Sequence, residues 1–411
     1  MSLKTISRNI FLLGIVLAVF LVTFELLVRH KTVLKPLARG ISQVKLQPLE
    51  PSSERINILE EDGKLRFNGW DKNVGDKYFI NYRDAQNEYF SQKYSYMKYR
   101  AWNFVMVYMP HHIIQMPITN FWPACVTSVQ IYPREDPTNL IKNRRIWESN
   151  PLNCANLDLN SVEWLNNTMI EEGDSKIQFQ RQDNGKLRLT IRAPKIGFEA
   201  DLKLDDKVVD DQFFLMPLTD DKQSYFANSK KFGIKAEGQY TYGGQTHQCK
   251  TEDHCLALYD NGRAQFTYHT NWFWASFTYH NSQLNKDISI NFGDGIGTDY
   301  NPSDNQKFYE DFINIEGEMI KLDQTDIEYS EQDMMQTHKF KTTTINKAFK
   351  NRSCDLMFEP TGVAKDGIHI IVLGITQYLV YGFWSGFCEI DGLKIHFDKV
   401  LGTVEHVRAR W

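Results

Sequence analysis

The chain has 411 residues, 42% of them hydrophobic and 24% charged, which describes a folded protein and excludes a disordered or collagen-like one. Its 47 basic and 51 acidic residues leave a net charge of −4, without the basic surplus of a nucleic-acid binder. Aromatics reach 13%, which favours β-structure or a ring-lined cavity, and six cysteines are too few for a disulfide scaffold but enough for three bridges.

The first element is an apolar stretch from Ile10 to Val28, interrupted only by Gly14, Thr23 and Glu25. Its 19 residues just reach the length of about 20 that a bilayer crossing needs. No small-x-small cleavage site precedes Arg29, so residues 1–30 are expected to form an uncleaved transmembrane signal anchor. Lys4 and Arg8 before the segment nearly balance Arg29, Lys31 and Lys35 after it, and this slightly opposes a lumenal body. The even cysteine count, the extreme N-terminal position of the anchor and two glycosylation sequons argue the other way. The sequons start at Asn166 (Asn166-Asn167-Thr168) and Asn351 (Asn351-Arg352-Ser353). We therefore expect a single-pass membrane protein whose body is lumenal or extracellular.

Residues 31–55 mix Lys, Gln, Pro and Ser without a period and read as a stalk. Beyond them the chain alternates strands and turns. Asp62-Gly63 separates residues 56–59 from 65–67, and Asn184-Gly185 joins Ile177 and Phe179 to the alternating run Leu187, Leu189, Ile191. Phe198, Ala200, Leu202 and Leu204 alternate with charged residues in the same way. Asn261-Gly262 reads as a turn that opens another strand, and Asp391-Gly392 as a hairpin turn near the end. Helical signals are confined to residues 160–172, with Ser161 as cap, and residues 332–338. Many short strands bounded by turns predict a mainly β protein. The charged stretch within 205–235 divides it into a first barrel-like domain over 56–225 and a second over 226–411.

No Gly-x-Ser-x-Gly elbow, His-Glu-x-x-His or phosphate loop is present, so no cofactor is implied. Gly293-Asp294-Gly295-Ile296-Gly297 follows a strand but lacks the spacing of a dinucleotide fingerprint, and reads as a tight loop. Cys249 and Cys255, with His247 and His254 beside them, match no zinc finger or ribbon; a hairpin disulfide is favoured over free thiols, and no metal is expected. By proximity Cys125 with Cys154 and Cys354 with Cys388 are the other candidate pairs.

Aromatics are densest over residues 266–279. In a strand, Phe266, Tyr268, Trp272 and Trp274 share one face, and they either pack as core or line an apolar cavity. His269 lies in the same run as a structural histidine or a proton carrier. Asp260 with Arg263, and Glu405 with Arg410, form ion pairs at sheet ends or supply a polar group to a cavity floor.

Several of these segments together resemble the domain-of-unknown-function 2804 family. They are Gly63-Lys64-Leu65-Arg66-Phe67-Asn68-Gly69-Trp70, Lys98-Tyr99-Arg100-Ala101-Trp102-Asn103-Phe104, Asp260-Asn261-Gly262-Arg263 running into Asn271-Trp272-Phe273-Trp274-Ala275, Ile288-Ser289-Ile290-Asn291-Phe292-Gly293-Asp294-Gly295, Leu356-Met357-Phe358-Glu359-Pro360, and the ending from Gly402 to Trp411. The resemblance spans about residues 56–411 and is weakest over 140–235. It implies two lipocalin-like β-barrels in tandem, similar in architecture to the carotenoid hydratase and AttH-like group, and assigns no activity.

Three functions fit this reading. One is a membrane-anchored binder of a lipid or other apolar small molecule, lined by Phe266, Tyr268, Trp272 and Trp274. The second is a hydratase- or isomerase-type enzyme on an isoprenoid or lipid, with Asp260, Asp294, Glu405 or His269 carrying the proton. The third is a structural or interaction module with filled barrels. No residue pattern identifies a reaction.

Overall fold

The computed structural model describes residues 55–73, 77–81, 99–121, 124–159, 161, 168–219, 222–294, 310–343, 347–369 and 373–411. The expected anchor, and the stalk apart from Arg55, lie outside these residues, as does the sequon residue Asn166. Among the described residues no helix is long and apolar enough to cross a membrane.

Three short strands come first: β1 (Ile56–Asn57), β2 (Gly69–Lys72) and β3 (Tyr78–Phe79). Two meanders follow. One is β4 (Tyr99–Tyr108), β5 (His112–Asn120), β6 (Ser128–Pro133) and β7 (Arg145–Glu148). The other is β8 (Met169–Glu172), β9 (Ser175–Arg181), β10 (Leu187–Ala193) and β11 (Phe198–Asp205). Then come β12 (Asp211–Pro217), the long β13 (Tyr225–Tyr242), β14 (Gln245–Cys249) and β15 (Leu256–Gln265). All but β1 and β3 join one antiparallel sheet, in which β13 pairs with β11, β12, β14 and β15 along its length.

A second sheet starts at β16 (His269–Asn281) and continues through β17 (Lys286–Asp294), β18 (Phe312–Ile315), β19 (Glu318–Lys321), β20 (Thr325–Glu328) and β21 (His338–Thr342). It ends with three long strands, β22 (Arg352–His369), β23 (Gly374–Ile390) and β24 (Leu393–Arg410). Its order is β19-β18-β17-β16-β24-β23-β22-β21-β20. The molecule is therefore mainly β, with two curled half-barrel sheets in tandem. The passage from one to the other falls between Gln265 and His269, and the stretch read as a boundary at 205–235 carries β12 and β13 of the first sheet.

Each sheet curls around its own apolar filling, because alternate residues of every strand point inward. Val105, Ile114, Leu189, Leu202 and Tyr259 belong to the first core; Phe277, Ile290, Phe340, Trp384 and Val404 belong to the second. Trp384 centres the second core, with Phe340 at 4.5 Å and Phe358 at 5.0 Å between ring centroids. The Asn184-Gly185 and Asp391-Gly392 turns form where expected, with Gly185 at φ 84° and Gly392 at φ 92°. The cysteines pair as Cys125–Cys154, Cys249–Cys255 and Cys354–Cys388.

Three local expectations are corrected. Asn261-Gly262 is no turn but the middle of β15, and Gly262 is needed for a different reason. A Cβ there would lie 2.0 Å from the ring of Trp102, which crosses directly above it. Met169–Glu172 is a strand rather than the end of a helix, because pairing Ile170 with Ile177 delivers Ile170 to the first core; residues 162–167 lie outside the described ones. Residues 332–337 form turns rather than a helix, because Met334 packs into the second core and its carbonyl lies 3.2 Å from Nε2 of His338.

The second core also encloses His338 and His406, beside Tyr329 at ring distances of 6.1 and 5.4 Å. Burial pushes both imidazoles down to about 4, with the nearby Arg408 adding to the effect on His406. Their folded pKa lies below the unfolded value, so the stability they contribute is present above pH 6.5 and is lost as pH falls toward 4. The cost is on the order of 3 kcal/mol per histidine at most. Denaturant melts at pH 7 and pH 5 are expected to show a clear loss of stability in the natural chain and a shallower one in the H338Q/H406Q variant. Equal losses would show that these two groups do not titrate with folding.

Candidate functional site

The outer faces of the two sheets meet in a seam. Met106, Tyr108, Phe232 and Leu258 of the first sheet pack there against Trp274, Phe312, Leu379, Tyr381 and Leu401 of the second. Strands at the seam are buried on both faces, and all ten residues of β15 are buried. One face of each fills a barrel and the other faces the neighbouring sheet.

At the centre of the seam stands Lys230 of β13, 1% exposed. Its Nζ lies 2.9 Å from Oδ2 of Asp260 on β15 and 3.0 Å from Oε2 of Glu310, just ahead of β18. It also lies 4.8 Å from the ring centre of Trp274. Burial opposes the ammonium, but Asp260 and Glu310 more than offset this and hold its pKa above the usual lysine value. Asn228 donates to Oδ1 of Asp260 at 2.6 Å, and the indole of Trp102 donates to the same oxygen at 3.2 Å. Trp274 donates to Asn291 at 2.7 Å, and Asn291 donates in turn to the backbone carbonyl of Glu310 at 2.9 Å. Burial pushes the Glu310 carboxyl up, only partly countered by Lys230. Its Oε1 has no hydrogen-bond partner among the described residues. Gly293 is required beneath it, since a Cβ there would sit 2.1 Å from that oxygen.

A third carboxyl lies nearby. Glu405 of β24 accepts from the indole of Trp272 at 2.8 Å and from the amide of Gln377 on β23. Burial pushes it up, against the two hydrogen bonds that favour its ionised form. Around this group runs a ring-lined wall. Phe266 stacks on Trp411 at 5.5 Å, on Trp102 at 6.0 Å and on Trp272 at 6.2 Å. Trp102, Phe104 and Trp272 sit mid-strand on the seam face yet are only half-buried, as is Trp70 of β2. These partly exposed rings stand on the same seam face as Asp260 and Glu405, with Trp102 donating to the first carboxylate and Trp272 to the second.

The family model for DUF2804, a domain of unknown function, matches residues 50–411. The chain belongs to the DUF2804 family. No curated protein matches this DUF2804 chain. Among solved structures it is similar to kievitone hydratase from Nectria haematococca, with 12% identity over 75% of this chain and 88% of that one and a TM-score of 0.43. It is also similar to CghA, with 8% identity over 75% and 87% and a TM-score of 0.38. A third is an AttH-like protein from Nitrosomonas europaea, with 12% identity over 76% and 92% and a TM-score of 0.38.

In this DUF2804 chain, Asp260, Glu405, Phe266, Trp272 and Trp274 converge on the seam, outside both barrel interiors. Phe273, Ala275 and Phe277, from the same strand as Trp272 and Trp274, point into the second barrel. Tyr268 lies in the link between the sheets, where its carbonyl accepts from the amide of Trp411. His269 starts β16 on the face opposite Trp272, and Asp294 ends β17 on the barrel side, near Tyr329. Arg263 does not pair with Asp260, because in a continuous strand the two point to opposite faces; it donates to carbonyls of Asp158 and Trp102 instead. Glu405 and Arg410 are separated by the same alternation. Asn351 is exposed in the turn before β22.

Sequence reasoning missed Lys230, Glu310 and Gln377. Lys230 left one signal: Phe226, Asn228, Lys230 and Phe232 share a face of β13, polar residues framed by rings.

Replacing Lys230 with Met would leave Asp260 and Glu310 facing each other in the dry seam. We expect a loss of about 3–5 kcal/mol at pH 7. The loss should shrink toward pH 5, because the orphaned carboxyls recover stability by taking up protons. Guanidinium midpoints of K230M and the natural chain at both pH values check this; a difference independent of pH would mean that lost packing, not charge, dominates.

Proposed function

We propose that this protein binds a lipid or other apolar small molecule at the seam between its two half-barrels, and that its N-terminal segment tethers that seam beside a membrane. The observation that carries the reading is the half-exposure of Trp70, Trp102, Phe104 and Trp272 on the seam face. Large rings left partly wet in mid-strand supply apolar area that a ligand would cover. Each sheet curls around a buried apolar cluster of its own, whereas the seam face carries the partly exposed rings, which favours the seam as the place for a ligand. Three paired disulfides suit an oxidising compartment, which supports a lumenal or extracellular body.

A second reading, acid–base catalysis of hydratase or isomerase type, is favoured by the raised carboxyls. Asp260 and Glu310 pair with Lys230, Lys321 also acts on Glu310, and burial nevertheless pushes Glu310 and Glu405 up. A carboxyl kept protonated beside an apolar ligand is a proton donor to an unsaturated carbon.

Native mass spectrometry of the full chain, expressed through a secretory host and incubated with membrane lipid extract, tests the first reading. A discrete apolar adduct is expected, with affinity reduced about tenfold or more in W272A, a loss of about 1.4 kcal/mol. No adduct in either protein would sink it. Incubation in D₂O separates the second reading: enzyme-dependent deuterium uptake at carbon that E405Q loses while still holding the adduct supports catalysis, and its absence leaves a binding protein.

A further inference from the structure

The polar ladder of the seam continues away from the half-buried rings. Along the same face, Thr278 of β16 meets Ser289 of β17 at 2.6 Å, and one pleat further His280 stands directly across from Asp287. His280 lies eight residues beyond Trp272, about 26 Å along the strand. Here the first sheet contributes one more side chain, His254, from the connection between β14 and β15.

Nδ1 of His280 lies 2.8 Å from Oδ1 of Asp287, and Nδ1 of His254 lies 3.3 Å from the same oxygen. The two imidazoles stack face to face, with ring centroids 3.4 Å apart and planes 15° apart. The three ligand atoms all lie within 4.8 Å of one another. In a tetrahedral site with metal–ligand bonds of about 2.0–2.1 Å, ligand atoms lie about 3.3–3.4 Å apart, a spacing within that of this group, and the two stacked rings must splay apart so that their in-plane Nδ1 lone pairs converge on one ion. The surroundings hold the ligands in place. The Cys249–Cys255 bridge closes the loop that carries His254, whose backbone adopts the left-handed conformation at φ 48°. The amide of Asp287 donates to Glu316, and Lys235 reaches the other carboxylate oxygen, Oδ2, at 3.5 Å, leaving Oδ1 to face the imidazoles. Asp287 is buried, whereas His254 is 37% exposed, so an ion has a path in from solvent.

We propose that His254, His280 and Asp287 form a binding site for a divalent transition metal of the zinc type, which clamps the two half-barrels together. Two imidazole nitrogens and one carboxylate suit Zn²⁺ or Co²⁺ and disfavour Ca²⁺ and Mg²⁺, which take oxygen ligands. The ligands come from both sheets, so an ion bound there links them and stabilises the assembled molecule by binding the folded state alone.

The test uses the full chain stripped with chelator. Zn²⁺ titration by calorimetry is expected to give one site per chain, Co²⁺ to give the visible absorption of a low-coordinate nitrogen–oxygen site, and Zn²⁺ to raise the melting temperature. H254N keeps a residue that tolerates the left-handed backbone, so it should fold, yet lose at least tenfold in Zn²⁺ affinity and most of the thermal shift. H247N is the control, because His247 belongs to a separate group with His111 and His112. Failure of the natural chain to bind Zn²⁺, unchanged affinity in H254N, or loss of binding in H247N instead would each overturn the proposal.

Discussion

The structure turns on one buried ammonium. Lys230 holds Asp260 from its own sheet and Glu310 from the other within about one ion-pair distance, in a seam that excludes water. Without the cation two carboxylates would oppose each other across the contact between the sheets. With it, the residues around them are fixed as well. Trp102 and Asn228 orient Asp260, Trp274 and Asn291 hold the backbone at Glu310, and two glycines leave room for a ring and a carboxyl to lie flat on the strands.

The seam works because each of its strands serves two environments at once. In β16, Phe273 and Phe277 fill the second barrel while Trp272 and Trp274 face the first sheet. In β24, Val404 and His406 face the barrel interior while Glu405 faces the seam. A period-two strand with two buried faces does not show the polar-and-apolar alternation of a half-exposed strand, and polar groups can sit on one face provided they find partners across the gap. That is why the chemistry collects between the barrels, where side chains from both sheets meet, while the second barrel interior holds mainly apolar filling around His338 and His406.

The fold was largely legible in the chain. The alternation of Leu187, Leu189 and Ile191, the Asn184-Gly185 and Asp391-Gly392 turns and the three cysteine pairs all follow from local rules and near neighbours. The site was legible only in fragments. Asp260, Glu405, Trp272 and Trp274 stood out as residues, but their partners did not, and the apparent Asn261-Gly262 turn hid the fact that Asp260 and Arg263 lie on opposite faces. A glycine required by close approach of a distant ring carries the same letter as one required by a turn.

The sequence by itself determined the class of structure, the positions of most strands and hairpins, and membership of a family whose pattern runs through residues 50–411. Those features depend on interactions between residues close along the chain, or on periodicity that any strand displays. Only the tertiary structure decided which face of each strand is interior and which is seam, because alternation defines two faces without naming them. It also decided which charges meet: Lys230 and Glu310 are far apart in sequence, and nothing local to either specifies the other. The reason is physical. A buried ion pair is fixed by the desolvation of its whole surroundings, and those exist only after the two sheets have packed.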